Sequence, residues 1–89
     1  MTKNTLKQLA PEILEALDKL PDDVNIYGVV FDDWEDSLAN KFINLQLLNP
    51  IEWPAVFDGQ TFKSGAVQKR IVVTPHIRAW WSEGGERDG

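Results

Sequence analysis

The chain contains no cysteine, and that absence removes disulfides, thiolate nucleophiles, iron–sulfur clusters and every zinc site that uses sulfur ligands. His76 is its one histidine, so a zinc or iron centre built on imidazoles fails on ligand count as well. No segment approaches the ~20 consecutive apolar residues needed to span a bilayer, and Met1 to Glu12 holds no apolar run of the kind that forms a signal-peptide core. Membrane insertion and secretion are therefore not expected, and a cytoplasmic location is.

Glycine-rich phosphate loops are also missing. No G-x-G-x-x-G occurs, Lys63-Ser64-Gly65 lacks the preceding glycine frame of a P-loop, and Gly84-Gly85 follows the last element. Ser37, Ser64 and Ser82 stand in no nucleophile-elbow sequence. His76, next to Pro75, reads as a first-turn residue more readily than as a general base. The carboxylates Asp32, Asp33, Glu35 and Asp36 lack the alternating oxygen ligands and central glycine of a calcium loop. The expectation is a protein with no catalytic residues, no metal and no cofactor.

What is present points to one small α+β domain. Eighty-nine residues are too few for two independent cores, so residues 1–85 are read as a single domain and 86–89 as a frayed tail. The net charge of −5 is unevenly spread: residues 1–40 hold three bases against nine acids, and residues 41–89 hold six bases against five acids. A negative surface formed by the first half would repel nucleic acid and steer a basic partner.

Leu6, Leu9, Ile13, Leu14, Leu17 and Leu20 recur at helical spacing, with Lys7, Glu12, Glu15, Asp18 and Lys19 opposite them. Pro11 is best tolerated in a first turn, which places the start of the regular helix near Ala10. Val24 to Phe31 is β-branched and aromatic and reads as a strand, apolar on both faces in its second half, which suits an interior position in the sheet, or one face under the helix and the other against something else. Gly28 marks a bulge or a close approach within it. Residues 32–40 read as a short helical turn capped by Asp33 or as an acidic hairpin loop. Phe42 to Leu48 alternates cleanly as a second strand, and Pro50 and Pro54 keep Trp53 in an irregular or edge segment. Asp58-Gly59 predicts a two-residue hairpin turn at positive φ, Ser64-Gly65 a second break, and Ala66 to Thr74 a further strand. Thr74-Pro75 followed by Gly84-Gly85 delimits a short helix over 76–83, with strand as the alternative. The fold class is α+β: an N-terminal amphipathic helix packed on a small, mostly antiparallel sheet of three to five strands, with a short C-terminal element.

Four tryptophans exceed the needs of so small a core. Trp53 and one of Trp80 and Trp81 are expected inside. Adjacent residues point to different sides, so the other of the pair is peripheral and free to act as an anchor. Trp34 lies among Asp32, Asp33, Glu35 and Asp36, where an indole within negative charge suits a basic protein partner; a capped turn that tucks Trp34 onto the core is the plainer alternative. Direct nucleic-acid binding would use Lys63, Lys69, Arg70 and Arg78 with Trp80 or Trp81, but Lys69 and Arg70 point to opposite faces of a strand and the chain is acidic.

The functional expectation is a small acidic protein-binding module, an adaptor or inhibitor that occupies a partner's surface through Asp32, Asp33, Trp34, Glu35, Asp36, Trp80 and Trp81. Its composition is shared with phage- or mobile-element accessory proteins. The alternatives are a nucleic-acid mimic whose acids over 12–36 imitate a phosphate array, a ligand-binding domain or enzyme with a pocket between helix and sheet, and self-association through an edge strand containing Phe57 or Phe62 or through an exposed Trp80 or Trp81.

Overall fold

In the computed structural model, which describes residues 2–33 and 41–84, the chain forms α1 (Lys3–Lys19), β1 (Ile26–Asp33), β2 (Lys41–Leu47), β3 (Phe57–Thr61), β4 (Val67–Thr74) and β5 (Ile77–Glu83). The helix begins earlier than expected. The Thr2 side chain accepts from the Thr5 N–H at 3.2 Å, and this cap starts the helix two turns before Pro11. Pro11 then sits in the helix interior on its exposed side. Its missing N–H forfeits one bond, and burial of Leu6 and Leu9 from the preceding turns holds the helix through it.

The buried stripe is Leu6, Leu9, Ile13, Ala16 and Leu20. Leu14 and Leu17, expected on that stripe, are exposed, because one helix lying on one sheet buries a narrower face than the full set of leucines spans. Leu20 leaves the helix in an extended conformation, and its N–H still bonds the Ala16 carbonyl at 3.2 Å.

The sheet has the order β1-β2-β5-β4-β3. Three neighbouring pairs are antiparallel, and β2 and β5 are parallel. The protein is thus α+β with a mostly antiparallel sheet. Residues 76–83, expected as a short helix with strand as the alternative, take the alternative: β5 is the central strand. Ile77, Ala79 and Trp81 alternate inward on it, and a helix over the same residues could not present all three to α1. Thr74-Pro75, which resembles a helix start, instead enters a two-residue turn over Pro75 and His76. Proline fixes a negative φ there, and His76 has none at positive φ. A register slip between Val72 and Thr74 absorbs the mismatch between such a turn and the twist of the strands.

The expected turn at Asp58-Gly59 is also corrected: both residues lie inside β3. The β3–β4 connection is Lys63-Ser64-Gly65, where the Gly65 N–H bonds the Phe62 carbonyl at 2.9 Å and the Phe62 N–H bonds the Ala66 carbonyl at 2.8 Å. Gly65 has φ +88°. A three-residue hairpin loop needs one residue in that left-handed region, and glycine adopts it without steric cost.

The core lies on one face of the sheet. Ile43, Leu45 and Leu47 of β2, Ile71 and Val73 of β4, and Ile77, Ala79 and Trp81 of β5 pack beneath Leu9, Ala16 and Leu20. Ile51 and Trp53, in the irregular segment between β2 and β3, cover part of the same face.

Candidate functional site

A polar clamp fixes the helix to the sheet. Glu12, expected on the solvated face of α1, is half-buried, and its Oε2 accepts from Thr74 Oγ1 at 2.6 Å and from the His76 backbone N–H at 2.7 Å. Its Oε1 lies 2.8 Å from His76 Nδ1, which donates, since a carboxylate can only accept. Burial opposes ionisation of Glu12, but the bonds from Thr74 and His76 outweigh it and hold the carboxyl below its ordinary range. A carboxylate-oriented imidazole is half of a hydrolytic triad. No hydroxyl among the described residues bonds the other ring nitrogen, and the contacts that are made tie α1 to the β4–β5 turn.

Sheet width decides what remains uncovered. Five strands spaced about 4.8 Å apart span roughly 20 Å between the outer two, whereas one helix with its side chains is about 10 Å across. α1 lies over β4 and β5, which leaves β1 at the margin. The two edges of the sheet then differ. β3 is only five residues long, and Asp58 on it accepts a hydrogen bond from Lys69 and raises the lysine pKa. Those are ordinary protections of an edge. β1 is eight residues long, contains no lysine, arginine or proline, and exposes Tyr27 (59%), Val29 (49%), Phe31 (48%) and Val30 (41%).

The expectation of an interior position for Val24–Phe31 is therefore corrected to an edge. Register sets Val29 and Phe31 opposite Leu45 and Ile43 on the helix side, and Val30 opposite Asn44 on the other, so this edge is apolar on both faces. Near its start the register slips between Ile26 and Gly28, and a Cβ at Gly28 would collide with the Gln46 side-chain amide. Gly28 is thus both the bulge and the close approach its type predicts.

Among the described residues no helix lies over the face of the sheet away from α1. One row across the strands runs Gly28, Gln46, Trp80, Arg70, Phe57, and the next runs Val30, Asn44, Arg78, Val72. The Arg78 guanidinium lies 3.9 Å from the centroid of the Phe42 ring. Neither Arg70 nor Arg78 has a carboxylate partner among the described residues, and Arg78 Nε is buried without a hydrogen bond. Two shallow hollows open on this face. One of about 260 Å³ is lined by Phe57, Asp58, Arg70, Ile71, Val72 and Arg78, and one of about 250 Å³ by Val30, Asn44, Gln68, Arg70 and Trp80. Both lie opposite the expected pocket between helix and sheet, a space that core side chains occupy.

No protein-family model matches the chain, and no curated protein or solved structure matches it. Its function is read from these surfaces alone.

The sequence-predicted contact residues separate. Asp32 and Asp33 end β1, paired in register with Phe42 and Lys41. Trp34, Glu35 and Asp36 lie outside the described residues, as does any choice between helical turn and loop over 34–40 and the tail 86–89. Trp81 takes the core position at 2% exposure, leaving Trp80 as the peripheral member, two strands in from β1. Arg70, Arg78 and Trp80 share the open face, whereas Lys69 lies on the other, bound to Asp58. Of the acids proposed to imitate phosphates, Glu12 is engaged internally and Glu15 pairs with Lys19 at 3.5 Å. Among the described residues no helix is long and apolar enough to cross a membrane, and no three His, Asp or Glu side chains gather as a metal site.

Sequence reasoning missed Tyr27, Val29, Val30 and Phe31 as contact residues, although their apolarity on both faces was the signal. It missed the Glu12 clamp for a different reason. Its partners are 62 and 64 residues away in the chain, and nothing local marks them.

Proposed function

We propose that the protein is a small protein-binding module that takes an extended segment of another protein as an added strand along β1. The observation that carries this reading is the exposed edge: an eight-residue strand whose stretch from Tyr27 to Phe31 is apolar on both faces, holds no charge or proline, and pairs on one side only among the described residues. Strand addition satisfies unpaired backbone groups, and alternate side chains supply selectivity. The chain runs from this edge into Trp34-Glu35-Asp36, the segment whose composition supports the same class of function.

The test is selection from a displayed library of random extended peptides, with hydrogen exchange to locate the bound ones. Selected peptides are expected to slow exchange of β1 amides, and Val30→Lys with Phe31→Lys should abolish binding while changing stability by under about 1 kcal/mol, since both side chains are already largely solvated. Selected peptides that protect another surface, or a library that yields none, would overturn the reading.

A second reading, a small-ligand site, is favoured by the hollow between Phe57 and Arg78, where two arginines without carboxylate partners among the described residues stand beside Phe57 and Val72, and the one carboxylate of the lining, Asp58, is paired with Lys69. An anionic aromatic compound is the matching chemistry. In a screen of aromatic carboxylates and phosphates, binders should lose at least about tenfold in affinity with Arg70→Gln or Arg78→Gln, which corresponds to one charge-assisted contact. Absence of any binder, or binders indifferent to both changes, removes this reading.

A further inference from the structure

Resting on the protein-binding reading, a second inference concerns the chemistry of the partner strand. β1 is bracketed by like charge. Asp22 and Asp23, both exposed, precede it, and Asp32 and Asp33 close it. Residues 20–33 contain those four acids and no base. Between the acids, the exposed side chains are apolar on both faces, as the register of Val29, Val30 and Phe31 against β2 requires.

A second copy of the chain is a poor match for such an edge. Closed two-fold pairing of identical edge strands is antiparallel, so residue positions run in opposite directions about a common centre. With Val29 at that centre, Asp32 and Asp33 of one copy come opposite Ile26 and Asn25 of the other, next to its Asp22-Asp23 turn, at both ends of a strand roughly 27 Å long. Like charges gathered at both ends of paired strands are destabilising, and the one base in register with them, Lys41 opposite Asp33, leaves three of the four acids at each end unmatched. The same brackets attract a strand of opposite charge. The acids thus act as a guard against self-pairing and as a selectivity device at once.

We infer that the partner of β1 is an extended segment of another protein with apolar, β-branched or aromatic residues at its centre and lysine or arginine at both ends. The apolar centre covers the Tyr27–Phe31 surface. The terminal bases meet Asp22 and Asp23 at one end and Asp32 and Asp33 at the other.

The experiment uses the intact protein and three synthetic peptides that share one apolar, β-branched centre and carry lysine, glutamine or glutamate at both ends. Affinities are measured at low and high salt, and β1 amide protection is followed by hydrogen exchange. The lysine-flanked peptide is expected to bind about tenfold more tightly than the glutamine-flanked one, as two or three exposed ion pairs supply. The glutamate-flanked peptide should be the weakest, and the differences should shrink as salt rises. Asp22→Asn with Asp23→Asn should reduce the lysine advantage and increase self-association seen by light scattering. Equal affinity of lysine- and glutamine-flanked peptides, with β1 amides protected in both complexes, would overturn the charge inference and leave strand addition standing. No β1 protection with any of the three would overturn both. A dimer already formed by the unmodified protein at low salt and insensitive to Asp22 and Asp23 would show that the edge is made for its own copy.

Discussion

Trp81→Ala is expected to lower the free energy of unfolding by about 3–5 kcal/mol, the cost of emptying a buried indole site, whereas Trp80→Ala should cost about 1 kcal/mol. The two residues are adjacent in β5 and differ only in which face of the sheet they serve. Trp81 is 2% exposed among Ile71, Val73 and Ala79, and Trp80 is half-buried on the face without a helix. A domain of this size has ~5–15 kcal/mol in total, so the first change brings the protein close to unfolding and the second does not. Trp81→Phe separates volume from polarity. Trp81 Nε1 is buried without a hydrogen-bond partner, so phenylalanine removes an unsatisfied donor while keeping most of the apolar contact, and a cost under about 2 kcal/mol is expected. Urea denaturation of the four proteins checks the series. Equal costs for Trp80→Ala and Trp81→Ala would contradict the assignment of faces.

Glu12→Ala should rank next, at about 2–4 kcal/mol. The carboxylate accepts from Thr74 Oγ1, the His76 N–H and the His76 ring, and Thr74 is buried. Truncation strands these donors, and a buried donor left unpaired costs more than the net worth of the bond it made. Glu12→Gln should retain part of the stability, because an amide oxygen still accepts while its NH₂ faces donors. The carboxyl titrates below its ordinary value of 4.5 in the folded state. Its contribution is therefore complete above about pH 4.5, where the unfolded chain is also ionised, and is lost as pH falls through the lower folded value. The stability gap between the natural protein and Glu12→Gln should accordingly be largest near neutral pH and narrow towards about pH 3. A gap that stays constant over that range would show that the charge of Glu12 contributes nothing.

These two sites also mark how far local sequence reaches. α1 was legible because helical periodicity is a property of neighbouring residues, and β2 because Ile43, Leu45 and Leu47 alternate against polar residues. Trp53 was placed correctly in an irregular segment by Pro50 and Pro54, which restrict the chain whatever surrounds it. Gly28 was recognised as a special position for the same reason. The start of α1 is not legible locally, because the cost of Pro11 is a local property, whereas the burial of Leu6 and Leu9 that outweighs it is not.

The sequence by itself determined the α+β class, the leading helix, the alternation that marks its strands, and the exclusion of thiol, histidine-metal and phosphate-loop chemistry, since each depends on residue type and near spacing. Tertiary structure decided the rest. Thr74-Pro75 fits a helix start and a tight turn equally well, and only the place between β2 and β4 beneath α1 makes residues 77–83 a strand. Asp58-Gly59 and Ser64-Gly65 both read as turns, and the pairing of Phe62 with Ala66 selects the second. The β-branched run Val24–Phe31 has the same pattern at an edge as in an interior. Its neighbours are set by which strands pair across the sheet, and one helix is too narrow to cover all five. The exposed edge of β1, on which the proposed function rests, is thus a consequence of packing geometry that no window of neighbouring residues contains.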